Sequence, residues 1–288
     1  MTNSTVNLGV LKLGCIGAAP LLDLLLDERA DREDLNVRAF TSGAKLDKDS
    51  CAETTASAIA NKPDLMLLVC PNAALPGPKA SRKAISEAGI PLITVSDGPS
   101  KKAYYKKNDE GKQELNLPEG QGFFILPTDP MIGARREFLD PSEMAIFNAD
   151  VIKVLASCGV LRFIQNELDA VINALKAGET LPLPKANVTA EKAITAGGFS
   201  NPYAASKALG ALKITESVAA VTSKGCFVEQ DAEKYITLVA AGHEMMRTAA
   251  NLADQARELE KSSDSLLRTP HSTSGEPLSK TNLKAKPS

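Results

Sequence analysis

The chain reads as an α/β protein: an open parallel-sheet, Rossmann-like domain, then a bundle of long helices, then an extended C-terminal segment. Three observations predict this. Up to Pro127, short β-rich runs alternate with stretches whose Ala, Leu and charged residues recur at helical spacing, the pattern of a parallel sheet covered on both faces. Beyond Pro130 the strand signals stop and long apolar stripes at three- and four-residue spacing take over. After Ser262 the helical pattern gives way to a tail with Thr, Ser, Pro and Lys. The expected division is therefore 1–128, 129–263 and 264–288. A length of 288 residues, 43% hydrophobic and 24% charged, is adequate for about two folded domains.

The expected strands are 8–13, 35–41, 65–70, 91–96 and 122–126. The polar stretch 106–120 interrupts the alternation and reads as an excursion or lid before the fifth strand. Asp140-Pro141-Ser142-Glu143 carries an N-cap, a first-turn proline and an acid at the third position, so a long helix begins there. It is expected to run through Asp150, Val154 and Phe163 towards Gly178, with Gly159 as a point of bending. Asn201-Pro202 opens a second helix ending near Gly225, and Asp231 opens a third of roughly eight turns. Its apolar stripe comprises Ile236, Val239, Ala240, Met246, Ala250, Ala253 and Leu259. Three such helices carry more apolar surface than one small domain covers, which predicts a homo-oligomer. Arg268-Thr269-Pro270-His271 reads as an arm folding back, disorder competes with a short strand or extended arm beyond Thr273-Ser274-Gly275, and the last ten residues are unassigned.

Composition narrows the function. Lys and Arg total 33 against 35 Asp and Glu, a net charge of −2, which argues against a nucleic-acid partner. Trp is absent, so stacking platforms are scarce. The five cysteines are scattered without C-x-x-C pairing, which predicts free thiols and no metal. No apolar run reaches the ~18 residues that span a bilayer, so no membrane partner is expected and the cytoplasm is the default location.

In an open parallel sheet the ligand crevice lies beyond the carboxyl ends of the strands. Three segments there stand out. Lys12-Leu13-Gly14-Cys15-Ile16-Gly17 closes the first strand, but Lys12 stands where the first glycine of G-x-G-x-x-G belongs. The second strand ends in Phe40-Thr41-Ser42 without a ribose-holding acid, which disfavours NAD(P); a ligand-free tight turn is the structural alternative. Pro71-Asn72-Ala73-Ala74-Leu75-Pro76-Gly77-Pro78 reads as a stiffened loop. Lys79 and Arg82 follow in the first turns of a helix, either sharing an anionic tail or forming a solvated face. Ser96-Asp97-Gly98-Pro99 puts a carboxylate at the crevice mouth or is simply a turn. Arg135-Arg136 lies at the junction of the two regions, as ligand contact or charged hinge. His243 and Arg247 share the last helix; Arg247 stands where H-E-x-x-H requires its second histidine. No G-x-S-x-G elbow marks a nucleophile.

Several long strings occur in one order along the chain. They are Leu24-Leu25-Leu26-Asp27-Glu28-Arg29-Ala30-Asp31-Arg32-Glu33-Asp34, Gly133-Ala134-Arg135-Arg136-Glu137-Phe138-Leu139-Asp140-Pro141 and Gly225-Cys226-Phe227-Val228-Glu229-Gln230-Asp231. His243-Glu244-Met245-Met246-Arg247 and Ala256-Arg257-Glu258-Leu259-Glu260-Lys261-Ser262 complete the set. Together they resemble the coenzyme F-420 (F420)-dependent methylenetetrahydromethanopterin dehydrogenases, from the first strand to Leu278-Ser279-Lys280. Only 106–120 and 178–199 match loosely. Where the family tends to have Asn-Pro-Ala-Ala-Pro-Gly-Pro, this chain keeps the length but has Asn72-Ala73-Ala74-Leu75-Pro76-Gly77-Pro78.

The resemblance implies an oxidoreductase acting on a CH-NH donor in methanogenesis-type one-carbon metabolism. Hydride would pass reversibly between reduced F420, an 8-hydroxy-5-deazaflavin co-substrate, and methenyl-tetrahydromethanopterin. It implies no metal, no bound flavin, no catalytic acid or base, and a trimer of dimers. Both ligands carry anionic tails, for which Lys12, Lys79, Arg82, Arg135, Arg136 and Arg247 are the candidate contacts. Gly14, Gly17, Asn72, Pro76-Gly77-Pro78 and Asp97-Gly98 would edge the reactive rings, and His243 would line the cleft or pack the core. The alternatives are an NAD(P)-linked pterin dehydrogenase and a non-catalytic oligomeric pterin-binding protein.

Overall fold

The computed structural model describes residues 5–130 and 140–288. In chain order the strands are β1 (Val6–Lys12), β2 (Leu35–Thr41), β3 (Leu65–Cys70), β4 (Leu92–Asp97), β5 (Tyr105–Lys107), β6 (Gln113–Leu115), β7 (Gln121–Leu126) and β8 (Lys185–Asn187). Six of them form a parallel sheet in the order β2-β1-β3-β4-β7-β8, while β5 and β6 make a separate antiparallel hairpin. All five expected strands are present. β3, β4 and β7 are buried along their whole length, which is why they read as continuous apolar runs.

β8 corrects the expectation that strands end at Pro130. Three residues, preceded by Pro184, carry too little periodicity to be read as a strand. Its place is set by pairing with β7, where Phe123 N donates to the Pro184 carbonyl at 2.7 Å. The excursion 106–120 holds the β5–β6 hairpin, whose turn is organised by Asn108 Oδ1 accepting from Glu110 N and Lys112 N.

Helices α1 (Ala18–Leu26), α2 (Lys48–Ala60) and α3 (Pro76–Glu87) join the first four strands. Leu11, Leu13, Met66, Leu68, Phe123 and Ile125 on one sheet face pack with Cys51 and Ala58 of α2 and Ile85 of α3. Asp140 caps α4 (Pro141–Ser157), its Oδ1 accepting from Ser142 N and Glu143 N. The single helix expected to continue to Gly178 is two: α4 stops at Ser157 and α5 runs Val160–Ala177. Gly159 between them has φ +93°, and any Cβ there would collide with the Ala193 carbonyl of α6 (Ala190–Gly197).

The two further helices lie as expected. α7 (Pro202–Ser223) is capped by Asn201 and runs into a π-helical turn, Lys224–Val228; α8 (Ala232–Ser262) is capped by Asp231. The buried stripe of α8 includes Tyr235, Gly242 and Ala256, whereas Ile236, Ala240 and Leu259 stay half-buried. Small residues fill the contact with α7 because the helices approach closely: a Cβ on Gly242 would overlap Thr222. Glu260, buried near the end of α8, accepts from Ser200 Oγ, Asn201 N and Ser265 Oγ. The tail folds back through paired hydrogen bonds between Arg268 and Lys280.

The chain divides into two compact units. The first runs up to Leu126 and takes in Asn166–Asn187 and Ser272–Glu276; the second holds Pro127–Gln165, Val188–His271 and Pro277–Ser288. Within the first, the amino end of the sheet is closed by charge. Asp34 accepts from Arg32 Nε at 2.9 Å and Nη2 at 3.0 Å, and Lys176 Nζ lies 3.8 Å away. Glu33 N donates to the Thr273 carbonyl, and Gly275 packs so tightly on the Asp34 carboxylate that no side chain would fit there.

Candidate functional site

The strand order reverses at β1. The chain leaves β1 for β2 on one side, then crosses back to β3 on the other, so the loops leaving β1 and β3 diverge, at the position where open parallel sheets bind their ligands. Parallel register sets their ends side by side: Lys12 pairs with Val69, Cys70 with Ser96, and Asp97 with Leu126. Lys12, Gly14, Gly17, Asn72, Asp97 and Gly98 thus lie along one edge of the sheet. Ser100 Oγ ties two of these loops together by accepting from Ala73 N at 2.9 Å.

The crevice residues have distinct local roles. Gly14 has φ +78° with the Leu46 side chain against it, and Gly17 is the α-helical N-cap residue of α1. Lys12 acts on Asp23 of α1, countering the burial that raises that carboxyl's pKa. Asn72 Oδ1 accepts from Ala74 N, which shapes the loop. Pro76, Gly77 and Pro78 are not in that loop: they form the first turn of α3, where proline at the start of a helix loses no hydrogen bond. Gly77 is buried against the Leu46 carbonyl and Cys51 Sγ, so its missing side chain serves helix packing.

Asp97 is 4% exposed, and the hydrogen bond it accepts comes from Gly98 N. Burial pushes its pKa up to about 7, the Gly98 bond only partly opposing it, and no cation among the described residues compensates it. Gly98 itself faces open space. A buried carboxyl beside an opening, half-protonated near neutrality, can donate or accept a hydrogen bond.

A groove of about 770 Å³ lies between α3 and the segment carrying the β5–β6 hairpin. Lys79 and Arg82 line it, as do Lys83, Lys102 and Lys106, which sequence reasoning did not single out. Arg82 is buried, its guanidinium stacked 4.6 Å from the centre of the Tyr104 ring, with Nη2 donating to Gln121 Oε1 at 3.0 Å. Its Nε has no hydrogen-bond partner among the described residues. The i, i+4 spacing of Lys79 and Lys83 is legible in the sequence; the hairpin's return over α3 is not.

His243 and Arg247 belong to the second unit, one turn apart on α8. His243 Nδ1 is 3.5 Å from Glu143, and its ring packs 4.6 Å from Phe147. Burial lowers its pKa despite Glu143, so it is mainly neutral at pH 7. Arg247 Nε holds Asp150 at 2.8 Å. Arg135 and Arg136 lie outside the described residues. The thiols of Cys70 and Cys158 are pushed up to about 12 by burial, which makes them poor nucleophiles. Among the described residues no three His, Cys, Asp or Glu side chains converge on a metal position, and no single helix is long and apolar enough to cross a membrane.

The family model described as methylene-5,6,7,8-tetrahydromethanopterin dehydrogenase matches residues 6–288. The chain belongs to this family. It is 54% identical to the F420-dependent methylenetetrahydromethanopterin dehydrogenase of Archaeoglobus fulgidus, covering 98% of this chain and 99% of that one. Identity to the enzyme of the same name from Methanocaldococcus jannaschii is 49%, with 98% and 99% covered. A solved F420-dependent methylene-tetrahydromethanopterin dehydrogenase, in complex with methylene-tetrahydromethanopterin and coenzyme F420, superposes with a TM-score of 0.91 at 42% identity. That match covers 99% of this chain and all of the other.

Proposed function

We propose that the chain is an F420-dependent methylenetetrahydromethanopterin dehydrogenase, an oxidoreductase that reversibly interconverts the methenyl and methylene forms of tetrahydromethanopterin. The observation that carries this is agreement over the whole chain: 54% identity to a curated dehydrogenase of that name and the fold of a solved one at TM-score 0.91. NAD(P) in the usual position is disfavoured by the end of β2, where Phe40, Thr41 and Ser42 supply no ribose-holding carboxylate. The deazaflavin co-substrate supplies or accepts the hydride, so the protein's work is to bind, orient and exclude water.

The residues fit that task. The crevice edge offers open space beside Gly98 and one buried, ionisable hydrogen-bonding group, Asp97. In this reading Asp97 orients a reactive ring by hydrogen bonding, while the loops around Gly14 and Asn72 edge the rings. Lys12, Arg135, Arg136, Arg247 and the α3 cations are the pool from which anionic tails are held. A trimer of dimers in the cytoplasm completes the proposal; Phe227 and Val228, large apolar side chains 62% and 69% exposed at the turn between α7 and α8, support contact with another copy. Mixing the protein with methylene-tetrahydromethanopterin and oxidised F420 tests the activity: the coenzyme's visible absorbance falls. Unchanged absorbance with folded protein overturns it, and turnover with NADP in place of F420 selects the alternative enzyme.

A further inference from the structure

The chain contains one Asp-Gly dipeptide, Asp97-Gly98, and no Asn-Gly. Such a dipeptide can close on itself, because the aspartate carboxyl lies within reach of the next backbone nitrogen and glycine puts no side chain in the way. Other capping aspartates of this fold are held out of that reach. Asp47 accepts from Ser50 N, Asp140 from Ser142 N and Glu143 N, and Asp231 from Glu233 N, so each carboxyl leans two or three residues ahead. Pro141, which follows Asp140, has no N–H to give. Asp97 differs. It caps the 3₁₀ turn Gly98–Ala103, and its Oδ1 accepts from Gly98 N, the adjacent nitrogen, which sets the carboxyl carbon directly beside that atom. A Cβ built on Gly98 would meet nothing within 4 Å, so there is room both for ring closure and for water.

We propose that Asp97-Gly98 is a site of spontaneous backbone rearrangement, passing through a five-membered succinimide ring to an isoaspartyl linkage. Gly98 N attacks Asp97 Cγ; the N–C bond forms, the Cγ–OH bond breaks, and the hydroxyl leaves with the amide proton as one water molecule. One water then reopens the ring. Addition at Cγ restores aspartate, whereas addition at the Asp97 backbone carbonyl carbon breaks the original peptide bond and leaves the chain running through the former side chain. No oxidant, reductant or other reactant is consumed. The first step requires the neutral acid, since a carboxylate would have to expel oxide. An ordinary aspartate is neutral in about one molecule in a thousand at pH 7. Burial of Asp97, which no cation among the described residues offsets, raises that to about half. Its surroundings leave this unchanged: Cys70 at the end of β3 is a neutral thiol, β7 presents Leu126, and Lys101 and Lys102 of the turn are exposed. The rearranged backbone is one methylene longer where β4 meets a turn that Ser100 pins to Ala73. The inference is independent of the dehydrogenase reading; where that reading holds, the product is an enzyme without the Asp97 side chain at its crevice edge.

The test incubates the full chain at pH 6, 7 and 8 beside the free peptide 84–101, which holds no other Asp or Asn, until the peptide has rearranged. Isoaspartate is counted by enzymatic methylation and placed by mass spectrometry of the digest, and hydroxylamine traps the succinimide as a hydroxamate. Isoaspartate is expected at position 97 of the folded chain, forming about tenfold more slowly at pH 8 than at pH 6 as the neutral acid is depleted. Gly98→Ala, whose methyl meets open space and leaves the fold intact, should slow the reaction about tenfold by crowding the ring. An unmodified Asp97 in the folded chain, a rate equal at pH 6 and pH 8, or a rate unaltered in Gly98→Ala overturns the assignment.

Discussion

The two ends of the parallel sheet treat a buried carboxylate in opposite ways. At the amino end Asp34 is gripped by both Arg32 nitrogens, with Lys176 nearby, and these cations hold its pKa below the usual range against the pull of burial. At the carboxyl end Asp97 is as deeply covered but, among the described residues, accepts from one backbone N–H, and its pKa rises to about 7. Asp97 ends β4, and Asp34 immediately precedes β2 of the same sheet. The difference is whether the fold supplies the counter-charge, and on the proposed reading it separates the end that serves stability from the end that meets a ligand.

The largest expected effect comes from breaking the closed end. Asp34→Asn leaves Arg32 buried without its partner and should cost about 3–5 kcal/mol, read as a lowered urea midpoint at pH 7. The sign with pH follows from the lowered pKa. Stability from Asp34 is fully present above its unfolded pKa of ~3.9 and is lost as pH falls through the folded value, so the variant and parent should converge in acid.

Asp97 should show the opposite slope. Its raised pKa means stability is undiminished below ~4 and is lost as pH rises towards about 7, a span of roughly 2–4 kcal/mol. Asp97→Asn should abolish that decline and unfold no more easily than the parent at pH 8. A parent curve that rises between pH 4 and 7 once Asp34 is replaced would contradict this. Smaller still is Gly77→Ala, which pushes a methyl into the Leu46 carbonyl and should cost about 1–3 kcal/mol in thermal or urea unfolding, with KM values unaltered.

The contrast between the two ends was only half legible in the sequence. The five main strands were readable because buried parallel strands are continuous apolar runs, and knowing where they end was enough to place Gly14, Asn72 and Asp97 on one edge. β8 was not, because Lys185-Ala186-Asn187 is a strand by virtue of its neighbour alone. Asp34 gave no signal either: two of its neighbours, Lys176 and Gly275, arrive from more than 140 residues away. Gly77 looked like part of a loop because prolines flank it, yet the same prolines begin a helix. The groove required knowing that the β5–β6 excursion folds back beside α3, which no local pattern specifies.

The central claim is that the carboxyl end of the sheet serves the reaction while the amino end serves the fold. Turnover of methylene-tetrahydromethanopterin with F420, measured side by side for Asp97→Asn and Asp34→Asn and corrected for the fraction folded, tests it most directly. The account predicts that Asp97→Asn loses about 10- to 100-fold in kcat/KM, the worth of one hydrogen bond to a charged group, while folded Asp34→Asn stays within about twofold of the parent. Full activity in Asp97→Asn, or an equal loss in folded Asp34→Asn, would contradict it.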